Sequence, residues 1–443
     1  FFQASGTPAA PSASQSLVSA TTPITACLVS CNTAALRSTI TVTVRDQFNN
    51  AIPGATVSLA ATGVQNALTQ PAATTGGTGQ TTGFLSSDTV QVKTVSAIVN
   101  PGPGQVAINQ TANVTVNPDV PNAATSTVVR ATSPITACNT GCLAGTTAST
   151  ITVTAKDQFG NNVANGTSVT ISSNGSNNFF SPNATGTTTN GVYSANFFSS
   201  TAQAKTISAT AGGVGITQTA SVTVTHAQAA SIIVNSTNPQ SARVGLAVAT
   251  DPSVLVRDAF LNVVTGATVT FTPSAGGSTL NGSVTGGTQV TSNGTATVTS
   301  WTLGDPADIA QGFSGQGLMP NTLTASVTPC SGTCSVNFTG NAFYSWGTHV
   351  ASVLSTGGPC QFCHDVVFQR VGLSNNIVGV GATTGTACDG FTRVIANNAN
   401  GSAIYSKANN TAVCGGKMPP STNLTATQLK IIRAWINNGA ADN

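Results

Sequence analysis

Residues 38–60 read STITVTVRDQFNNAIPGATVSLA, and the first seven of them decide the fold. Apolar Ile40, Val42 and Val44 alternate with Thr39, Thr41 and Thr43, the period of a strand with one buried face. All six of those residues are β-branched at Cβ and pack well on a pleated surface. Asp46-Gln-Phe-Asn-Asn50 then supplies turn chemistry: Asp46 caps the bend and Phe48 is expected in the core. A Ca²⁺ loop would need about six or more oxygens, which single Asp residues do not supply.

The stretch recurs as STITVTAKDQFGNNVANGTSVTISSNG at 149–175 and, more divergently, as VATDPSVLVRDAFLNVVTGATVTFTPSAG at 248–276. Asp46, Asp157 and Asp258 hold equivalent places, 111 and 101 residues apart, each followed two residues later by Phe48, Phe159 or Phe260. A repeat of about 100 residues is a whole domain rather than a solenoid unit. The sequence therefore predicts three all-β sandwiches in tandem, each seven-stranded and Ig-like, at 16–120, 121–226 and 227–341. An N-terminal arm, 1–15, precedes them, and a small domain, 342–443, closes the chain. The VRDQFNN…GATV pattern resembles the bacterial Ig-like repeats of invasin and intimin adhesins. So do Trp301-Thr-Leu-Gly304 and Asn321-Thr-Leu-Thr-Ala-Ser-Val327. The likeness covers residues 16 to 340; it implies the sandwich fold and a stalk, spacer or binder, without choosing among them.

Composition agrees. Of 443 residues only 6 % are charged, Glu is absent and the net charge is +3. No basic stripe exists, so a nucleic-acid partner is not expected. No apolar run reaches the ~20 residues of a membrane helix. The opening FFQASGTPAAPSAS reads as that of a processed, mature chain. Ten cysteines include three C-x3-C pairs, Cys27–Cys31, Cys138–Cys142 and Cys330–Cys334. They read as local disulfides in an oxidising, exported setting. Each closes a short loop worth about 2 kcal/mol on the chain-entropy argument. A metal reading fails on ligand count, with no histidine beside any pair.

After Asn341 the pattern changes. FYSWGTHVASVL reads as a short helix with Val350, Val353 and Leu354 on one face, stopped by Gly357-Gly-Pro359. Cys360-Gln-Phe-Cys363-His364 follows, and C-x-x-C-H is the attachment motif of c-type haem. Two thiols reach two vinyl groups of one porphyrin while the adjacent imidazole meets the iron. Zinc, with Cys388 and Cys414 as a second pair, and a redox disulfide are the competing readings. Leu424–Ile436 predicts a terminal helix. Thr425 and Gln428 form its capping box and Leu424 its staple. Leu429, Ile432 and Ile436 mark the buried face beside Trp435, and Gly439 is the stop.

The order helix, CxxCH, loop, Met418-Pro-Pro420 and last helix resembles class I-like cytochrome c. Asn400-Gly-Ser-Ala-Ile-Tyr405 is similar to the start of its middle helix. The likeness covers residues 343 to 443 and implies a small all-α domain holding one covalent haem c. Cys360 and Cys363 would be the attachment points, His364 the proximal ligand and Met418 the distal one. His349 is the rival sixth ligand, Met319 is the other methionine, and His226 is a junction residue. The even cysteine count pairs Cys388 with Cys414, a bridge that would tether the Met418 loop.

A six-coordinate haem carries electrons and binds no substrate. The expected function is thus an exported monohaem electron-transfer protein, not an enzyme, at the cell surface or beyond, with haem attached in the periplasm. Its partner would be a redox protein or an extracellular electron acceptor. The sandwiches, on the order of 35 Å long each at ~3.3 Å per residue, would be a stalk or the modules of a homopolymeric filament. The alternative is an adhesin or structural fibre whose haem domain serves a partner enzyme. The arm at 1–15 reads either as a disordered leader or as a strand donated to a neighbouring copy.

Overall fold

The alternation at residues 38–44 folds as written. In this computed structural model, residues 8–100, 102–273, 282–304, 319–350, 353, 378–381, 390–411, 414, 416, 423–437 and 439–440 are described. Ile40, Val42 and Val44 are fully buried, while Thr39 and Thr41 lie at the half-exposed face. The strand Ser38–Thr43 stands between Leu17–Ala20 and Gln80–Ser87, with Asn66–Thr69 beyond. A second sheet runs Ile24–Thr25, Ala112–Asn117, Val92–Val99 and Val57–Ala61, and Val106–Ala107 pairs with Val92–Val99. Both sheets send their apolar faces into one core containing Val18, Ile40, Val42, Leu85, Leu59, Val95 and Val114. Gly83 lies across from Ile40, and a Cβ there would meet Leu59 Cδ1 and the Thr69 carbonyl at 2.6 Å.

The second sandwich repeats this plan. Thr127–Arg130, Ser149–Thr154, Val192–Ser199 and Asn178–Ser181 form one sheet. Ile135–Thr136, Ala220–Thr225, Ala204–Ala211, Ser168–Ser173 and Thr185–Thr187 form the other. The third has Ala229–Val234, Ser253–Asp258 and Thr295–Thr297 in one sheet. Its other large sheet runs Gln240–Arg243, Ser335–Phe343, Met319–Val327, Thr268–Pro273 and Thr288–Val290, over a core that includes Trp301, Leu323 and Phe338. The strand count exceeds the expected seven per domain because several strands are two- or three-residue pieces. The chain separates into two compact units, Phe1–Thr225 and His226–Asn443.

Each sandwich divides its first strand at a proline: Pro23, Pro134 or Pro239. Upstream the strand pairs antiparallel in one sheet; downstream it pairs parallel in the other. Proline has no N–H to give the first ladder, so pairing breaks there. The residue before each proline takes a bond from the sheet being joined. Thr115 N–H donates to Thr22 Oγ1 at 2.9 Å, Thr223 N–H to Ser133 Oγ at 2.9 Å and Thr339 N–H to Asn238 Oδ1 at 2.8 Å.

The closing region has its own core of Tyr344, Trp346, Val350, Val353, Tyr405, Ile432, Trp435 and Ile436. Trp346 forms a tilted ring pair with Trp435, centroids 5.3 Å apart. Of the expected first helix, the described residues show the wide turn Trp346–Val350, whose Val350 N–H donates to Ser345 O at 3.3 Å, and a helical Val353. Leu354 lies outside the described residues. Ser402 precedes the helix Ala403–Ala408. The terminal helix, Ala426–Asn437, has the expected box: Thr425 N–H donates to Gln428 Oε1 at 2.9 Å and Gln428 N–H to Thr425 Oγ1 at 3.2 Å. It stops at Gly439, with φ at +89°; Ala440 N–H reaches Trp435 O and Gly439 N–H reaches Ile436 O. That pair of bonds is the Schellman pattern. Ile432 and Ile436 are fully buried, each worth about 1.5–3 kcal/mol.

Candidate functional site

The construction that recurs in all three sandwiches is built on Asp46, Asp157 and Asp258, none more than 1 % exposed. One carboxylate oxygen caps the turn: Asp157 Oδ1 accepts from the Phe159 and Asn161 N–H groups, both at 2.9 Å. The other oxygen, Oδ2, accepts from the Asn161 side-chain amide at 2.8 Å and from the linker amide of Asp119 at 3.2 Å. In the first sandwich Asp46 holds the Ala9 N–H at 3.1 Å, and in the third Asp258 holds the Ala227 N–H at 2.8 Å. The aspartate therefore clasps the segment by which the chain enters each domain, a role beyond the bend cap read from sequence. At Asp46, desolvation by burial pushes the pKa up. The Asn50 side chain and the Asn50, Ala9 and Phe48 amides outweigh it and hold the carboxyl below its ordinary value.

The phenylalanine of this motif does not enter its own core. Phe159 packs instead against the core of the preceding sandwich. Asn161 completes that joint: its amide donates to Asp88 O at 2.7 Å and accepts from the Val90 N–H at 3.3 Å. Phe48 is 71 % exposed and Phe260 is half-buried. The expectation of three core phenylalanines is corrected accordingly. The ring sits at the pole of the sandwich because the turn carrying it projects past the sheet ends.

The arm is corrected as well. Residues 8–15 lie along the first sandwich: Ser12 N–H donates to Arg45 O at 2.8 Å and Asn109 N–H to Ala13 O at 3.0 Å. The disordered-leader expectation is thus corrected for these eight residues; residues 1–7 lie outside the described residues.

Two buried lysines are missed by the sequence reading. Lys93 and Lys205 are fully buried at equivalent registers, opposite Val114 and Val222. Lys93 Nζ donates to Val64 O at 2.6 Å and to Gln91 Oε1 at 3.1 Å; Lys205 Nζ donates to Ser176 O at 3.0 Å. Each ammonium pins the turn that crosses from one sheet to the other. Burial lowers both pKa values, and the Asp88 charge partly offsets this at Lys93. In the third sandwich the place belongs to Asn321, which is paired to the backbone of Gly304.

Disulfides join Cys27 to Cys31, Cys138 to Cys142 and Cys330 to Cys334. Cys414 is buried and disulfide-bonded. Cys388, Cys360, Cys363, His364 and Met418 lie outside the described residues, as does the side chain of Met319. His349 stands edge-on to Tyr344, and its Nδ1 accepts from the Ser345 N–H at 3.2 Å. His226 faces carbonyls with both ring nitrogens, Ala227 O at 2.9 Å and Thr265 O at 3.0 Å. Among the described residues no cluster of three His, Cys or Asp side chains could hold a metal ion, and no helix is long and apolar enough to cross a membrane.

The clasp, the proline crossover and the two-sheet core place the first sandwich among Ig-like folds. Residues 35–117 match the bacterial Ig-like domain (group 1). No curated protein matches the chain. Among solved structures, the Escherichia coli adhesin FdeC is 18 % identical over 75 % of this chain and 99 % of its own, with a TM-score of 0.45. Invasin, a bacterial integrin-binding protein, is 20 % identical over 75 % of this chain and 60 % of its own, at 0.41. Yersinia pseudotuberculosis InvD is 20 % identical over 74 % of this chain and 97 % of its own, at 0.41.

Proposed function

We propose that the tandem Ig-like domains form a surface-exposed stalk that presents the C-terminal domain. The joint between the first two domains carries this reading. A flexible tether needs no ring seated on the neighbouring core, no amide bonded twice across the boundary and no buried carboxylate holding the linker. Phe159, Asn161 and Asp157 supply all three. Spin labels on domains 1 and 2 test it. A narrow distance distribution that broadens in Phe159→Asp is expected; a broad distribution in the unaltered chain would refute it.

A second reading concerns what the stalk presents, and it is carried by Cys360-Gln-Phe-Cys363-His364. Two thiols with an adjacent imidazole, and a thioether downstream at Met418, make a donor set whose chemistry fits one covalent haem c. Such a group supplies one-electron transfer when bound. In this reading Cys360 and Cys363 would hold it, His364 and Met418 would be the iron's ligands, and the Cys414 bridge would tether the nearby chain that carries Met418. The partner is then a redox protein or an extracellular electron acceptor. A haemochrome spectrum of protein matured with c-type haem machinery tests the reading. One haem per chain, lost in Cys360→Ala/Cys363→Ala, is expected; a haem-free protein after such maturation would reject it.

A further inference from the structure

The first domain has, where the chain enters it, the same construction that seats the second domain on the first. Pro8-Ala-Ala-Pro11 stands where Pro118-Asp-Val-Pro121 links the two domains. The backbone bonds correspond one to one. Ser12 N–H donates to Arg45 O as Asn122 N–H donates to Lys156 O; Asn109 N–H donates to Ala13 O as Thr217 N–H donates to Ala123 O. The Ala9 amide sits on Asp46 as the Asp119 amide sits on Asp157. Residues 8–16 are therefore built as a linker between domains.

The pole beside that linker differs in one respect. Phe159 is covered by the core of its neighbour, whereas Phe48 is 71 % exposed. Asn161 bonds across the joint to Asp88 and Val90; Asn50, among the described residues, makes only the bonds to Asp46. An exposed phenylalanine next to an amide with spare bonding capacity is the unfilled half of a joint whose filled form exists in the same chain.

We propose that the Phe48 pole is a docking surface for the C-terminal end of another Ig-like sandwich, joined through the chain that leads into Pro8. The partner's chemistry follows from the filled joint. It must offer an apolar core rim to the Phe48 ring. It must also offer a turn whose carbonyl and N–H lie two residues apart, as Asp88 and Val90 do, for the Asn50 amide. This goes beyond the stalk reading, since three domains can present a C-terminal end without a fourth.

The test places residues 8–117 directly ahead of Pro8 in the chain, so that Asn117 meets Pro8 as it meets Pro118. Phe48 is kept, and its oxidation by hydroxyl radicals in the inner copy is followed by mass spectrometry, the added copy carrying Phe48→Leu so that the two peptides separate by mass. Rates are compared with those of the chain lacking the added domain. Docking predicts oxidation of Phe48 at least threefold slower in the extended protein. Phe179 of the second sandwich, whose side chain is 40 % exposed, should keep its rate. An equal rate at Phe48 in both proteins, with both folded by circular dichroism, would overturn the proposal. The joint between domains 1 and 2 is unaltered in either protein, so that failure would leave the stalk reading standing.

Discussion

Replacing Asp157 by asparagine tests the clasp with almost no change of shape. The native carboxylate accepts four hydrogen bonds, at 2.9, 2.9, 2.8 and 3.2 Å, and is fully buried. An amide oxygen can keep the two turn bonds from Phe159 and Asn161. The other position becomes an NH₂ that faces two donors, the Asn161 side-chain amide and the Asp119 N–H. Bonds to a charged group contribute about 1.5–3 kcal/mol each, so losing two costs about 3–6 kcal/mol. Water cannot replace them at a site this closed. That is a large part of the roughly 5–15 kcal/mol by which a domain is stable. Hydrogen exchange resolved by peptide reads the effect, because 3 kcal/mol is more than about a hundredfold in opening. Residues 119–126 should lose protection first and the second sandwich next, with the first sandwich unchanged. A loss below about 1 kcal/mol, or one spread evenly over both sandwiches, would show that the carboxylate only caps its own turn.

Further expectations follow from the same structure. Burial lowers the Lys93 and Lys205 pKa values, so above the lowered values and up to the ordinary 10.5 the unfolded chain binds more protons. Stability should therefore rise with pH through that window; urea unfolding should show the rise, and Lys93→Met/Lys205→Met should flatten it. Asp46 gives a slope of the same sign at acid pH, its pKa being held below the ordinary 3.8. The first sandwich should lose stability as pH falls through that lowered value, a loss that acid titration of Asp46→Asn should not show. In the terminal helix, Thr425→Ala removes the box and should cost about 1 kcal/mol. Gly439→Ala forces a Cβ into φ at +89° and should cost about 1–2 kcal/mol, both read by thermal unfolding.

Some elements are legible in the sequence because their signals are local. The box Thr425–Gln428 involves residues three apart, and the stop at Gly439 needs one backbone angle that glycine adopts freely. The cysteine pairs are equally local, four residues apart in each case. Phe48 is placed wrongly by the pattern because alternation reports which face of a strand is buried and is silent once the strand has ended in a turn. The lysines at 93 and 205 escape it for a related reason. Their burial depends on carbonyls 29 residues away, Val64 and Ser176, which no periodicity brings together. One signal is present: Lys93 and Lys205 each sit in a strand that is otherwise apolar on the same face.

The sequence alone determined that the chain is a tandem of β-sandwiches. Hydrophobic alternation and a repeat of about 100 residues constrain any fold that must bury one face of each strand. It also supplies the C-x-x-C-H spacing at Cys360–His364 on which the haem proposal rests. Tertiary structure alone decided what joins the domains. Asp157, Phe159 and Asn161 look the same in sequence as Asp46, Phe48 and Asn50. They differ because a neighbouring core lies within reach of Phe159 and not of Phe48. Contact across a domain boundary depends on which surfaces the folded chain places side by side, and a local pattern carries no record of that.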